Sequence, residues 1–414
     1  MSATTPANAN VPAAESSARW AALFKIAVGI LLAMSLWFSA SAVSPALREE
    51  WSLSPTALAW LTLAVQLGFV VGTLVSAFLN LPDVVPLRAL IAACAWMAAA
   101  SNAGLALEAR GAGSAIVLRF ATGFFLAGVY PPGMKLMASW FRSGRGLALG
   151  TLIGALTLGK ATPYLVNAVG SERWRSNVLA VSALSAIGGL IVLIFVGDGP
   201  FAAPSARLDL GQIARVFHNR GVRLADFGYF GHMWELYAMW TWVPVFLRAS
   251  LGARSAPPAL AEAASFLVIG SGVVGCVLAG LLADRLGRTV IASAAMVISG
   301  TCCLVFGFLF TAPTAVLLVV AAIWGASVVA DSAQFSACVT ELSDPAYMGT
   351  ALTVQTCVGF LLTMVSIELV GKLSASAGWS LAFASLAPGP ALGVAAMLRL
   401  RRLPEAAKIA QGRR

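Results

Sequence analysis

The chain has 414 residues, 59% of them hydrophobic and 11% charged, with a mean hydropathy of +0.86; soluble domains carry about 25% charged residues, so an ordinary soluble fold is excluded. At about 20 apolar residues per crossing, this length holds roughly a dozen membrane spans joined by short loops. A net charge of +10 would suggest nucleic acid in a soluble protein, but in a membrane protein it first asks which side of the bilayer holds the basic residues.

In chain order, residues 1–21 lack the basic start and apolar core of a signal peptide and read as a disordered cytoplasmic tail. Twelve apolar segments follow, at 22–45, 57–80, 86–107, 114–137, 146–169, 178–197, 225–249, 259–283, 289–311, 314–338, 347–370 and 379–398. The long gap at 198–224 divides them into two six-helix bundles, 22–197 and 225–398, and a basic tail occupies 399–414. Within the connector, residues 208–217 have the pattern of a short amphipathic surface helix or a solvated linker. Gly146-Leu-Ala-Leu149 and Gly349-Thr-Ala-Leu352 open segments five and eleven, as a duplication of parallel halves would leave them.

Taking the N-terminus as cytoplasmic, 18 of the 27 Lys and Arg residues fall on the cytoplasmic side, seven outside, and Arg119 and Lys160 lie within spans. The positive-inside rule therefore puts both termini in the cytoplasm, and the high pI needs no nucleic-acid partner. The six cysteines all lie in apolar segments, without Cys-x-x-Cys spacing or a nearby His, so they read as core residues and no metal site is expected.

The most specific stretch is Gly280-Leu-Leu-Ala-Asp284-Arg285-Leu-Gly287-Arg288, a charged turn too short for anything but a hairpin at the membrane surface. It resembles the signature loop of the major facilitator superfamily (MFS) of secondary transporters, which lies between the eighth and ninth helices on the cytoplasmic side. That resemblance implies twelve transmembrane helices in two pseudo-symmetric bundles, alternating access, and a latch made by Gly280, Asp284, Arg285, Gly287 and Arg288. In the latch, Asp284 caps the N-terminus of segment five, where Arg142 and Arg145 stand ready to pair with it, and Glu341 or Asp344 receives Arg285 or Arg288. The first-half counterpart of the loop has Ser76 where the family usually has an acid.

An ionisable side chain inside the bilayer is costly unless it faces protein or water, so such residues mark a cavity. They are Arg119, Lys160, His232, Glu235 and Asp331, with Gln66 and Gln355 adding uncharged polarity, while segments three, six, nine and twelve carry none beyond their edges. His232 and Glu235 lie three apart on one helical face, suiting proton coupling or a structural pair. Trp234 and its aromatic neighbours can stack on a ligand or pack. Ile116-Val-Leu-Arg119-Phe-Ala-Thr-Gly123 resembles the fourth-helix motif that the superfamily links to proton coupling; snorkelling of Arg119 is the alternative. Lys160 is far from either interface and can bind an anionic substrate or pair with Glu235 or Asp331.

Gly123-Phe-Phe-Leu-Ala-Gly128-Val-Tyr-Pro-Pro-Gly133 and Trp140-Phe-Arg-Ser-Gly-Arg145-Gly146 look similar to the anion-cation symporter and nitrate or cyanate porter branches. Nitrate porters carry an Arg in helices two and eight, whereas segment two here offers only Gln66. The expected activity is proton-coupled symport of a small organic anion by a monomer in the inner membrane, driven by the proton gradient without a cofactor. Proton-driven efflux of apolar or cationic compounds, or substrate sensing without transport, are the alternatives. With two His residues and no His-Glu-x-x-His, an enzyme is not expected.

Overall fold

A computed structural model describes residues 13–141, 144–170, 173–201, 209, 211, 213–344 and 347–413. The apolar segments form twelve membrane helices, and no strand occurs among the described residues. Helix α1 covers Ala13–Ala33, a 3-10 turn at Met34–Leu36 and a last turn at Ser39–Ala42; α2 covers Pro55–Phe78 and α3 Leu87–Leu107. Helix α4 is split into Ala112–Leu126 and Tyr130–Ala138, α5 is Arg145–Val169 and α6 Trp174–Phe195. In the second half α7 is Arg220–Gly252, α8 Pro258–Gly270 and Gly272–Leu286, and α9 Arg288–Val305 with a 3-10 end at Phe306–Thr311. Helix α10 is Thr314–Ala330 and Ser332–Leu342, α11 Met348–Ser376, and α12 Trp379–Ala384 and Pro388–Arg401. Ten of these are long and apolar enough to cross a bilayer. The other two, α5 and α7, have 25 and 33 residues and are made more polar by Lys160 and by Asp226, His232 and Glu235.

Packing repeats between the halves. Helix α2 lies on α4, and both α3 and α1 lie on α6; six helices later α8 lies on α10, and both α9 and α7 lie on α12. The halves meet along α5–α8 and α2–α11, two contacts that exchange when the halves are interchanged. Backbone proximity makes the α2–α4 and α8–α10 pairs possible: a Cβ at Gly123 would strike the Val65 carbonyl, and one at Gly325 the Val268 carbonyl. In lipid, where apolar area gives helices no reason to leave the hydrocarbon, such close approach is the main source of association.

Several boundaries differ from expectation. The tail predicted over 1–21 is helical from Ala13. Helix α7 begins at Arg220 and not near 225, because the Asn219 side chain accepts hydrogen bonds from the Gly221 and Val222 amides at 3.0 and 3.2 Å and caps an earlier start. Of the amphipathic stretch 208–217, a helix at Ile213–His218 is seen, packed on α7 and α11; most of the remainder lies outside the described residues. The basic tail is docked: Leu403, Ala406 and Ile409 are buried, and the turn Pro404–Gly412 lies against α10. On the side opposite the termini, the short helix Ser44–Trp51 is tied to α6 by Glu50, which accepts hydrogen bonds from Arg175 (2.5 and 2.9 Å) and Trp174 (2.6 Å); these donors hold its carboxyl below the usual range.

Gly123→Val should therefore push α2 and α4 apart and cost about 1–3 kcal/mol, seen as a lower thermal midpoint in detergent. Gly113→Ala, which meets nothing within 4 Å, should leave the midpoint in place. Equal midpoints for the two variants would remove the close-contact account.

Candidate functional site

Helix α5 carries Lys160 to the middle of the molecule, 2% exposed. Its ammonium donates a hydrogen bond to the Tyr237 hydroxyl and lies 4.1 Å from the ring centroid of Trp37, 4.6 Å from Tyr237 and 5.2 Å from Trp240. Among the described residues it forms no ion pair, so neither Glu235 nor Asp331 is its partner. The π faces stand in for a counter-ion, each contact worth ~2 kcal/mol when desolvated. Behind them Phe69, Phe360 and Phe38 close the cage: Trp37–Phe69 centroids are 5.2 Å apart, Phe69–Phe360 4.7 Å and Phe38–Trp240 6.2 Å. Gln66 belongs to this cluster, its amide oxygen accepting from Thr363 of α11. Three buried donors around the cage have no hydrogen-bond partner among the described residues: Trp37 Nε1, Trp240 Nε1 and Gln66 Nε2.

Trp37 reaches the cage because α1 breaks there, with Trp37 and Phe38 between the 3-10 turn and the last helical turn. A break in hydrocarbon frees carbonyls that must be satisfied by protein. Arg119 does this: its guanidinium donates to the carbonyls of Leu36 (3.0 Å), Trp37 and Leu61 (3.4 Å), to Ser39 Oγ (3.0 Å) and to Asn102 Oδ1 (2.8 Å). It is fully buried, so it does not snorkel. Every partner is neutral, and the geometry makes Arg119 a residue that positions Trp37. Asn102 of α3, which an ionisable-residue search passes over, extends the network to Ser182 Oγ (2.9 Å) on α6.

The acids lie in the other half. His232 Nδ1 of α7 is 2.8 Å from Asp331 Oδ1 of α10. Glu235, a turn further along, accepts from Trp324 Nε1 (2.5 Å), Ser299 Oγ (2.8 Å) and Cys303 Sγ (3.1 Å). Thus His232 and Glu235 do not face each other, and α9, which carries no ionisable residue beyond its edges, supplies two of the partners of Glu235. Gln355 donates to Asp226 Oδ1 at 2.9 Å and accepts from Ser336 Oγ at 3.2 Å. Asp226 is fully buried and was missed because the earlier start of α7 puts it inside the span; Asn219 was the available signal. Of these interior charges, both cations, Arg119 and Lys160, sit in the first half and all three carboxylates in the second. Trp234 does not join the cage, since its Nε1 donates to the Ser385 carbonyl of α12 at 3.1 Å.

The site is closed on both sides. On the side of the termini, Asp284 stands at the start of α5, where a Cβ on Gly146 would lie 2.8 Å from both its carboxylate oxygens; Gly280 meets the Gly146 carbonyl and Gly150 the Cys276 carbonyl. A carboxylate there complements the helix dipole. Gly287, at φ +100°, makes the turn into α9. Arg288 binds Glu341 at 2.8 Å and lies 3.8 Å from Asp284; Arg285 is exposed. The Arg145 side chain, and Arg142 altogether, lie outside what is described. Glu341 also accepts from the Ala410 amide at 3.0 Å, and Arg413 donates to the Asp284 carbonyl, so the C-terminal tail straps the latch. In the first half Asp83 pairs with Lys135 at 2.5 Å, the same place with the charges reversed. On the far side Arg248 of α7 binds Glu262 (2.6 Å) and donates to the Ala42 carbonyl of α1 (3.0 Å), which Asn167 of α5 also reaches (3.1 Å). A cavity of about 580 Å³ opens there, lined among others by Arg248, Ser41, Thr62 and Thr241.

The sequence profile of the Major Facilitator Superfamily matches residues 26–367. No curated protein matches the sequence. The structure is similar, with a TM-score of 0.71 and 14% identity, to that of the proton:xylose symporter XylE bound to 6-bromo-6-deoxy-D-glucose, over 93% of this chain and 96% of that one.

Asp284→Asn should loosen the α5–α8 closure, and removal of residues 404–414 should loosen it less. Both should speed modification of Leu147→Cys, which lines that contact, by a membrane-permeant thiol reagent. Unchanged labelling in Asp284→Asn would count against its role as latch.

Proposed function

Because the chain belongs to the major facilitator superfamily, we propose that it is a secondary transporter carrying a small organic anion together with protons, with Lys160 binding the anion. As a member of that family it is a multi-pass membrane transporter and not an enzyme. One observation carries the anion reading: among the described residues a buried ammonium has no carboxylate partner, and Trp37 Nε1, Trp240 Nε1 and Gln66 Nε2 around it are unpartnered donors. A site made of donors is complementary to a group that only accepts. A cationic cargo would have to lie beside Lys160, which disfavours the efflux reading.

Proton coupling is supported by the buried acids and by α7, which joins them to the cage. The same helix carries Asp226, His232 and Glu235 and then, at Tyr237 and Trp240, two walls of the Lys160 site. Helix geometry puts Tyr237 about 7.5 Å along the axis from His232. Protonation that alters the His232–Asp331 contact would move α7, and with it the cage; by linkage, an anion that favours one arrangement of α7 changes proton affinity to the same degree. XylE, a protein of this fold, is described as a proton symporter. In this proposal the transporter acts as a monomer in the inner membrane, both termini in the cytoplasm, with the proton gradient as energy source and no cofactor.

In proteoliposomes with an imposed pH gradient, Lys160→Met should weaken anion uptake by about 100-fold or more, the ~3 kcal/mol expected for losing one partner of a buried charge pair; Lys160→Arg should retain part of it. Glu235→Gln and Asp331→Asn should transport with reduced dependence on the gradient. Gradient dependence undiminished in both would end the coupling assignment, and full uptake by Lys160→Met would end the anion-site assignment.

A further inference from the structure

We infer that the cargo is an aromatic monocarboxylate, a reading that rests on the anion site proposed above and narrows it. The first element is the charge count. Lys160 is the one cation facing the cage among the described residues, because the guanidinium of Arg119 is spent on five neutral acceptors and Arg248 is bound to Glu262 near the far side. A second negative charge on the ligand would face aromatic π clouds, whose faces are negative. One carboxylate is matched and two are not.

The second element is the hydrogen-bond inventory. Tyr237 Oη already accepts from Lys160, and the remaining unpartnered groups, Trp37 Nε1, Trp240 Nε1 and Gln66 Nε2, all donate. A carboxylate offers about four lone-pair positions and no donor, so it can take up all of these groups. A sugar or an alcohol brings hydroxyl donors, for which the cage offers only the spare lone pairs of Tyr237 Oη and Gln66 Oε1. The third element is the wall. Trp37, Phe38, Phe69, Tyr237, Trp240 and Phe360 form one connected set of rings, centroids 4.7 to 6.5 Å apart, all 3% exposed or less. Packed on one another in this way, the rings exclude water, and once they part around a ligand their faces stack on a flat apolar body. A small inorganic anion or acetate would use the head of this site and none of its wall.

The test uses the purified full-length protein, with benzoate, cyclohexanecarboxylate, acetate, phthalate, benzyl alcohol and D-xylose as probes, read by thermal stabilisation and by uptake into proteoliposomes. Benzoate should stabilise at a concentration at least tenfold below acetate and phthalate, and ahead of cyclohexanecarboxylate; benzyl alcohol and D-xylose should do nothing. Trp240→Phe, which keeps a ring but loses the N–H, should weaken benzoate several-fold when its stabilisation is measured against that variant's own unliganded midpoint, and Lys160→Met should abolish the benzoate response. If acetate matches benzoate while Lys160→Met still abolishes both, the aromatic assignment is wrong and the anion site stands. If no anion stabilises the protein, or D-xylose alone does, the anion site falls and this inference with it.

Discussion

An ammonium group in the middle of a bilayer must be compensated by protein, and how Lys160 is compensated shapes much of the first half of the molecule. Among the described residues no carboxylate serves it; three aromatic faces, one of them the phenol that also accepts its hydrogen bond, do. For Trp37 to offer its face, α1 has to break, and the carbonyls freed by the break have to be satisfied. Arg119 satisfies them, Asn102 orients Arg119, and Ser182 orients Asn102. A chain of hydrogen bonds without a carboxylate thus runs from α6 through α3 and α4 to α1 among the described residues, and its product is the position of one indole ring.

The second half is built on the opposite sign. Asp226, Glu235 and Asp331 are each held by neutral donors or by His232, and among the described residues none reaches a lysine or arginine. Charges of opposite sign are therefore kept apart, one set in each half, with α7 touching both. This separation suits a carrier better than direct pairing would, since a buried Lys–Glu bridge would satisfy the two groups with each other and leave neither for cargo or proton.

Both exits are closed by devices that cross between the halves, and the devices differ. On the side of the termini the closure is a close backbone contact between small residues, Gly146 and Gly150 against Gly280 and Cys276, with Asp284 at the start of α5 and the tail strapped over it. On the far side it is a single arginine, Arg248, held by Glu262 and reaching the carbonyl of Ala42. The first half answers the lost acid at Ser76 with Asp83 on Lys135, a bridge that stays within its own half. Crossing between halves from the signature-loop side thus falls to Asp284.

Much of this was legible in the residues. Twelve crossings, their division into six and six, and Lys160 as the anomalous charge follow from hydropathy, because a long apolar run has few structural alternatives and a buried charge stands out against it. The Gly280–Arg288 motif pointed to the loop and to the start of α5 as the neighbour of Asp284. What stayed hidden was everything that depends on who faces whom. Trp37 is one aromatic residue in an apolar run until α1 breaks beneath it, Asp226 looks like an edge residue until Asn219 moves the start of α7, and Arg119 looks like a coupling group until its donors are seen to be occupied. His232 and Glu235, three apart and apparently a pair, turn to different neighbours on α9 and α10. Span number and burial are properties of composition along the chain, which lipid reads locally. Partnership between side chains is decided by helix rotation and close backbone approach, which only the packed structure sets.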